Sequence, residues 1–183
     1  LSAFELASRL SYFIWGTMPD NTLFQTAASG TLTTEAVLRA QVSRMLQDPK
    51  SDTLVTNFAE MWLGVRKLDG LVPLATSFPS FRVSLRNSAK NETRNFIRHL
   101  RANNLPISEL LNANYSFLNA ELASHYQVPG VTGDTFRQVT FPASAQRRGL
   151  LTQMTFLMST SAPYGTLPVR RGYTVLQDFI CAA

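Results

Sequence analysis

The sequence predicts a mainly α-helical fold, a multi-helix array followed by a small irregular C-terminal part with room for one short β-hairpin. Apolar residues recur at the three- and four-residue spacing of a helix face through most of the chain up to Tyr126. The nine prolines fall between these periodic segments, where they interrupt helices. Hydrophobic residues form 45% of the 183 residues and charged residues 16%, a composition typical of a packed globular domain.

Capping and terminating residues predict the first two helices. Ser2 and Glu5 form an S-x-x-E capping box, in which each side chain accepts a hydrogen bond from the other residue's backbone N–H. A helix is therefore expected over residues 2–15. A second, short helix is expected over residues 21–28, and Gly30 ends it.

Longer helices are expected in the middle of the chain. The apolar spacing predicts them over residues 33–47, 52–63 and 80–103. Ser80 is the predicted N-cap of the last of these, which is the longest. Its apolar residues fall within about half of the helical circumference, so one face is expected to be buried.

Shorter elements are expected after the long helix. Short helices are predicted at 106–111 and 119–126, and extended segments at 114–118 and 136–141. A final helix is predicted over 168–180, because proline suits the first turn of a helix.

We place a domain boundary near residue 130, where proline and glycine turns replace the helical pattern. Residues 1–130 are then a helical domain, and residues 131–183 are the start of a second, small and incomplete domain. The chain begins with Leu1 and has no basic leader segment, so it is expected to be part of a longer protein.

Aromatic residues recur at helical spacing in the first third of the chain. We predict that they are core residues; the alternative, a sugar-stacking platform, would require them to be exposed. The residues are Tyr12, Phe13, Trp15, Phe58 and Trp62.

The net charge of +5 is concentrated in one predicted helix. Residues 80–104 hold six basic residues against Glu92 alone, which leaves eleven of each sign elsewhere. The six are Arg82, Arg86, Lys90, Arg94, Arg98 and Arg101. Five of them recur every four residues and form a slanting ribbon.

Two interpretations of this basic ribbon stay open. It is a docking face for an anionic partner, such as an acidic domain or an acidic polysaccharide, because guanidinium groups match carboxylate and phosphate. Alternatively, it is a solvated helix face that acids on neighbouring helices partly neutralise. Nucleic acid is disfavoured as a partner, because no recognition motif accompanies the charge and no aromatic residues interleave with it.

A second candidate site lies near the C-terminus. Two arginine pairs flank a polar loop that leads into the last helix, whose N-terminus presents free N–H groups to an anion. Alternatively, the arginines fasten the loop through its backbone carbonyl groups. The candidate residues are Arg147, Arg148, Thr160, Tyr164, Arg170 and Arg171.

No catalytic residue, metal site or cofactor site is predicted within this chain. His99 and His125 are far apart and lack metal-ligand spacing, and Cys181 is the single cysteine. The sequence contains no nucleophile-elbow motif and no nucleotide-binding glycine motif. No apolar run approaches the roughly 18 residues that span a bilayer, so no membrane span is expected.

Blocks along nearly the whole chain resemble planctomycete-type, cytochrome-associated domains of unknown function. Residues 4–20 resemble the ELASRLSYFLW…MPD start of one such domain, and residues 57–63 and 115–126 are similar to its NFAxQWL and YTFLNxxLAxHYG blocks. Residues 148–153 and 168–172 resemble the RGGLLTQ and SPVKRG signatures of the domain that follows it. Gln127 departs from the pattern, which usually has glycine there.

The resemblance implies a setting rather than a reaction. Its members are large exported proteins that often carry a c-type cytochrome module elsewhere, and some lie among polysaccharide-degradation genes. We therefore expect a periplasmic or extracellular, non-catalytic helical module that scaffolds other domains of the same protein or binds an anionic partner. Haem c would lie outside this segment. The alternative is part of an oxidoreductase, in a polysaccharide-related context, whose haem lies elsewhere in the parent protein.

Overall fold

The computed structural model describes residues 1–181 and confirms a mainly α-helical fold with one two-stranded antiparallel hairpin. The chain forms two compact units, Leu1–Ala59 and Glu60–Ala183, called unit 1 and unit 2. This division lies elsewhere in the chain than the boundary predicted near residue 130. Because packing units and sequence domains need not coincide, the predicted domain boundary stays a prediction.

Unit 1 is helical throughout. Its elements are α1 (Ala3–Ile14), α2 (Asn21–Ala28), a 3-10 helix (Thr31–Thr33), α3 (Glu35–Gln47), a 3-10 helix (Pro49–Asp52) and a π-helix (Leu54–Ala59). The predicted helix at 52–63 therefore begins as a π-helix, with hydrogen bonds of i→i+5 type, and continues as a short α-helix in unit 2.

The predicted capping box is confirmed. The backbone N–H of Ser2 donates to a Glu5 carboxylate oxygen at 2.8 Å, and the Glu5 N–H donates to the Ser2 hydroxyl at 3.3 Å. Asp20 caps α2 by accepting the Leu23 N–H at 2.9 Å, and it also binds Arg44 through both carboxylate oxygens at 2.7 and 3.0 Å. Local side-chain contacts thus fix both helix starts.

The prediction for the aromatic residues is wrong at three of the five positions. Trp15 is fully buried and its indole N–H donates to the Met45 carbonyl at 2.9 Å. Tyr12, Phe13 and Phe58 are instead 57%, 70% and 59% exposed. In α1 the buried stripe runs through Ala7, Ser11 and Ile14, and neither Tyr12 nor Phe13 falls on it.

Unit 2 packs one long helix against shorter elements. These are α4 (Glu60–Trp62), a 3-10 helix (Val65–Gly70), α5 (Val83–Ala102), α6 (Glu109–Asn112), β1 (Tyr115–Leu118), α7 (Ala120–Tyr126), β2 (Arg137–Thr140), a 3-10 helix (Leu150–Thr152), α8 (Met154–Ser159) and α9 (Pro168–Asp178). The largest core cluster joins buried residues of α5, β1 and α7, including Leu85, Leu118 and Leu122.

The long helix starts two residues later than predicted. Arg82, not Ser80, is the N-cap residue of α5, and it makes no side-chain cap hydrogen bond. Phe81 is partly buried against the core, and its N–H donates to the Phe78 carbonyl in a turn. The packing of Phe81 therefore places Ser80 outside the helix.

The hairpin joins segments that are distant in sequence. β1 pairs with β2 in the register Tyr115↔Thr140 to Leu118↔Arg137, and α7 lies in the connection between them. Ser116 and Leu118 of β1 point into the core, whereas β2 is largely exposed. The pairing brings residues from before and after position 130 into one structure.

Candidate functional site

A pocket of about 240 Å³ lies within unit 2. Its wall is mostly apolar and includes Phe78, Phe81, Met154, Leu157 and Met158. The loops before α5 and before α9 are tied together here, because the Leu74 N–H donates to the Pro163 carbonyl at 2.9 Å. Pockets with an apolar wall and few polar groups are typical small-molecule sites.

Two partly buried arginines line this pocket. The Arg147 guanidinium lies 3.7 Å from the centre of the Tyr126 ring and donates to the Thr152 carbonyl at 2.9 Å. Arg171 donates through Nη2 to the Leu157 carbonyl and the Ser161 hydroxyl, both at 3.4 Å. Neither has a carboxylate oxygen within 4 Å among the residues at 1–181.

A buried acid lies behind the pocket wall. Glu92 of α5 is 1% exposed and accepts the Tyr126 hydroxyl at 2.7 Å and the Ser116 hydroxyl at 2.6 Å. The Tyr126 oxygen in turn accepts the Met154 N–H at 2.7 Å, and Gln153 Nε2 donates to the Ser116 oxygen at 3.4 Å. Because Tyr126 also lines the pocket, it connects the pocket to Glu92.

Burial dominates the acid–base properties of this region. It raises the pKa of the Glu92 carboxyl from 4.5 to about 7, although the hydrogen bonds from Ser116 and Tyr126 and the charge of Arg147 act in the opposite direction. Burial, together with the charges of Arg147 and Arg82, lowers the pKa of His125, another pocket residue. His125 is therefore neutral at pH 7.

The structure brings together only part of the predicted C-terminal pocket. Arg147 and Arg171 share the 240 Å³ pocket, and Arg171 Nε donates to the Thr160 hydroxyl at 3.3 Å. Arg170 and Thr160 line a separate pocket of about 30 Å³. Tyr164 is 67% exposed, and Arg148 donates to the Arg147 carbonyl at 2.8 Å.

The contacts in this region bear on both sequence interpretations. Arg147, Arg148 and Arg171 donate to the backbone carbonyls of Thr152, Arg147 and Leu157, which lie outside the polar loop, and Arg171 reaches the loop through the hydroxyls of Thr160 and Ser161. Arg147 and Arg171 also lie at a pocket, as the anion-site interpretation requires. Whether an anion binds there stays a prediction.

The basic ribbon on α5 is largely engaged with the rest of unit 2. Three of its members form ion pairs: Arg82 with Glu121 at 2.8 Å, Lys90 with Asp69 at 2.7 Å, and Arg94 with Glu60 at 2.6 Å. Arg86 donates to the carbonyls of Leu68 and Asp69 at 3.4 and 3.2 Å, and Arg98 contacts Asn95 at 3.5 Å. Arg101 also has an interaction within the fold.

Sequence reasoning missed Glu92 and Tyr126. In the sequence, Glu92 stands out only as the single acid among the basic residues of its helix. Its position held a signal, because Leu85, Ala89, Glu92 and Phe96 follow the spacing of the buried stripe of α5. An acid on such a stripe requires hydrogen-bonding partners from neighbouring elements.

Residues 1–181 contain neither a side-chain cluster suited to a metal ion nor a helix suited to span a membrane. Within residues 1–181, no group of three or more His, Cys, Asp and Glu side chains is placed to hold a metal ion. Over the same residues, no helix combines the length and apolar character needed to cross a membrane. Cys181 is exposed and free.

A family model described as "PSD4: Protein of unknown function (DUF1592)" matches residues 1–128. This match confirms the predicted resemblance to a domain of unknown function. It does not address the cytochrome association or the second domain, which stay predictions. No curated protein and no solved structure matches the chain.

Proposed function

The chain belongs to the PSD4 (DUF1592) family of proteins of unknown function, and we propose that this member is a non-catalytic helical module that binds an anionic partner at the pocket of unit 2. One observation carries the proposal. Arg147 and Arg171 line an apolar pocket, are partly buried, and have no carboxylate within 4 Å in the described residues.

A cation that is withdrawn from water without an anion beside it loses solvation free energy, an effective penalty of several kcal/mol for a fully buried ion. The Tyr126 ring and the Thr152 carbonyl offset part of this loss for Arg147, and hydroxyl and carbonyl oxygens do so for Arg171. None of these groups carries a negative charge. A bound anion is therefore expected to be attracted to the pocket.

The α5 ribbon supports anion binding less strongly than the pocket does. Arg82, Lys90 and Arg94 already face carboxylates within 3 Å. An external anion would have to compete with these internal partners. A new ion pair between that anion and the exposed helix face would contribute only about 0–1 kcal/mol. The ribbon thus acts mainly inside unit 2, as a surface that fastens the α5 helix to its neighbours.

The biological setting is also part of the proposal. We place the module in a periplasmic or extracellular multidomain protein with a c-type cytochrome elsewhere in its chain, where it contacts other domains of the same protein. This rests on the resemblance of the sequence blocks to cytochrome-associated domains. Mass mapping of the parent protein tests it, because a CxxCH haem attachment motif and a cleaved signal peptide are expected.

Calorimetry with three anion probes tests the binding function. The probes are polygalacturonate oligosaccharides, inorganic phosphate and 4-phenylbutanoate. We expect at least one to bind the chain, and to bind at least about tenfold more weakly when Arg147→Gln and Arg171→Gln are combined, since a charge-assisted hydrogen bond contributes roughly 1.5–3 kcal/mol.

The control is Arg39→Gln, which removes one positive charge from an exposed ion pair on α3 and so matches each single arginine substitution. It should leave binding unchanged. Circular dichroism establishes that the double variant is folded, and the single variant Arg171→Gln serves if it is not. No binding of any probe, or equal binding by the folded arginine variants, would overturn the proposal.

The Glu92–Tyr126 pair favours a second candidate, part of an oxidoreductase whose haem lies elsewhere in the parent protein. Titratable groups with shifted pKa values beside a pocket are typical of catalytic sites, and Tyr126 lies between the pocket and a carboxyl with a pKa of about 7. In the parent protein, Tyr126→Phe should abolish substrate-dependent haem reduction under this candidate. Unchanged reduction favours the non-catalytic module.

A further inference from the structure

We infer that the occupant of the unit 2 pocket is a small aromatic monocarboxylate, with its ring among the apolar residues and its carboxylate at Arg147 and Arg171. This rests on the proposed anion-binding function and names the class of ligand. Acidic polysaccharide, the partner expected from the sequence, is the competing occupant.

The size of the pocket limits the ligand. A dry apolar cavity of about 150 Å³ holds one benzene molecule. At about 240 Å³, this pocket has room for one ring, a short chain and a carboxylate. A polysaccharide chain extends over several sugar rings and would have to continue beyond this pocket, into the pocket of about 500 Å³ that Tyr126, Arg147 and Leu157 also line.

The chemistry of the wall favours an aromatic ring. Phe78 and Phe81 present aromatic surfaces, and Met154 and Met158 present polarisable thioethers that pack well against rings. A sugar ring carries several hydroxyl groups, and each hydroxyl moved from water to such a wall without a partner costs roughly 1–3 kcal/mol by protein mutational data. The wall therefore disfavours a saccharide.

The charges that face the pocket favour a monoanion over a polyanion. Arg147 and Arg171 are the cations of its wall, and His125 is neutral because burial and the nearby arginines lower its pKa. Glu92 lies behind Tyr126, and Arg147 interacts with its charge. Above about pH 7, where Glu92 is ionised, it balances part of the positive charge, and about one negative charge on the ligand then completes the balance.

The hydrogen bonds that hold the Arg171 guanidinium are long, including the 3.3 Å bond from Nε to the Thr160 hydroxyl. Its two Nη2 hydrogen bonds, to Leu157 and Ser161, are both 3.4 Å long and therefore weak. The Leu157 carbonyl also accepts the Ser161 hydroxyl at 2.7 Å, so it keeps a partner if Arg171 moves. A carboxylate offers this guanidinium a stronger, charge-assisted acceptor.

Methionine-methyl NMR provides a site-specific test. In a chain labelled at the methionine methyl groups, 4-phenylbutanoate should shift the signals of Met154 and Met158, which line the pocket, and leave Met18, which is 73% exposed in unit 1, unchanged. The uncharged amide of the same compound should bind at least about tenfold more weakly, because it lacks the ionic bond to arginine. Arg171→Gln should reduce this preference for the acid, whereas Arg39→Gln should not.

The outcomes separate this inference from the function on which it rests. Binding of polygalacturonate or phosphate that depends on Arg147 and Arg171, without binding of 4-phenylbutanoate, would overturn the aromatic class and leave the proposed function standing. Equal binding of the acid and its amide would also overturn the inference. If none of the anions binds, both proposals fail.

Discussion

The Tyr126 hydroxyl donates a hydrogen bond of 2.7 Å to a carboxylate oxygen of Glu92. The same hydroxyl oxygen accepts a hydrogen bond from the Met154 N–H, also at 2.7 Å. This one hydroxyl joins α7, α5 and the start of α8. Tyr126→Phe removes it and leaves two buried groups with one partner fewer. We expect the free energy of unfolding to fall by about 2 kcal/mol, measured by urea denaturation.

The control for this substitution is Tyr164→Phe. It deletes the same atom from a ring that is 67% exposed, so it should change stability by less than about 0.5 kcal/mol. Equal effects of the two variants would show that the buried hydrogen bonds do not stabilise unit 2.

The raised pKa of Glu92 predicts a fall in stability as pH rises. The folded chain holds the Glu92 proton up to about pH 7, whereas the unfolded chain releases it near 4.5. The stabilisation is therefore fully present below pH 4.5 and is lost as the pH rises through 7. Linkage gives a loss of roughly 3 kcal/mol from this group between those values.

Urea denaturation at a series of pH values, for the wild-type chain and Glu92→Gln, measures the effect of Glu92. Asp20, Asp69 and Glu121 have lowered pKa values, so their contributions are lost only at pH values below the Glu92 window. His125, whose pKa is lowered, acts with the opposite sign inside the window. The difference in the free energy of unfolding between the wild-type chain and Glu92→Gln isolates the contribution of Glu92. If this difference did not change with pH, the prediction would be contradicted.

Gln127 is held in a left-handed conformation at the end of α7, with φ at 59°. This conformation destabilises a non-glycine residue by roughly 1–2 kcal/mol. Glycine avoids that strain, but it loses more conformational entropy on folding, which offsets part of the gain. Gln127→Gly should therefore raise the free energy of unfolding by about 0.5–1 kcal/mol. Gln127→Ala is the control and should give no gain; a gain equal to that of glycine would contradict the conformational explanation.

Gly149 is required by a close backbone approach. A Cβ atom there would lie 2.3 Å from the Leu110 carbonyl oxygen and 2.6 Å from the Leu111 carbonyl carbon, and φ is 48°. Gly149→Ala should destabilise unit 2 by about 3 kcal/mol or more, because the clash is with backbone. Calorimetric melting measures the loss.

Gly133→Ala is the matched control for Gly149→Ala. Gly133 has a φ of 75° with open space around its Cβ position, so the substitution adds backbone strain without a clash. A cost of roughly 1–2 kcal/mol is expected from the strain alone. A melting temperature of Gly149→Ala no lower than that of Gly133→Ala would refute the role of the close approach.

The sequence predicted those elements whose signals are local. The Ser2–Glu5 capping box and the N-terminal proline of α9 act over one helical turn, and both helices begin where these residues indicate. The mainly helical fold and the two short strands follow from hydrophobic periodicity in the same way. Ser80 failed as a cap because the decisive contact, the packing of Phe81 against the core, is made with residues distant in sequence.

The candidate site was less accessible to sequence reasoning. Charge and proximity to a polar loop indicate Arg147 and Arg171 from the sequence, but the apolar wall they share comes from three separate segments, at 71–85, 125–126 and 154–163. The charge of the α5 ribbon was predicted correctly, whereas its partners Glu60, Asp69 and Glu121 lie on other elements. Charge is visible in a sequence, but the pairing of charges depends on the tertiary fold.

The hydrogen bonds around Glu92 have a consequence for how family members are divided into pieces. The matched segment ends at residue 128, yet Ser116 and Tyr126 interact with Gln153 and Met154 beyond it, and β2 supplies the only pairing of β1 in the described chain. A protein cut at that sequence boundary would expose one edge of β1 and part of the core of unit 2. The span of similarity is therefore shorter than the compact unit 2, and expression boundaries for relatives are better chosen after the equivalent of α9.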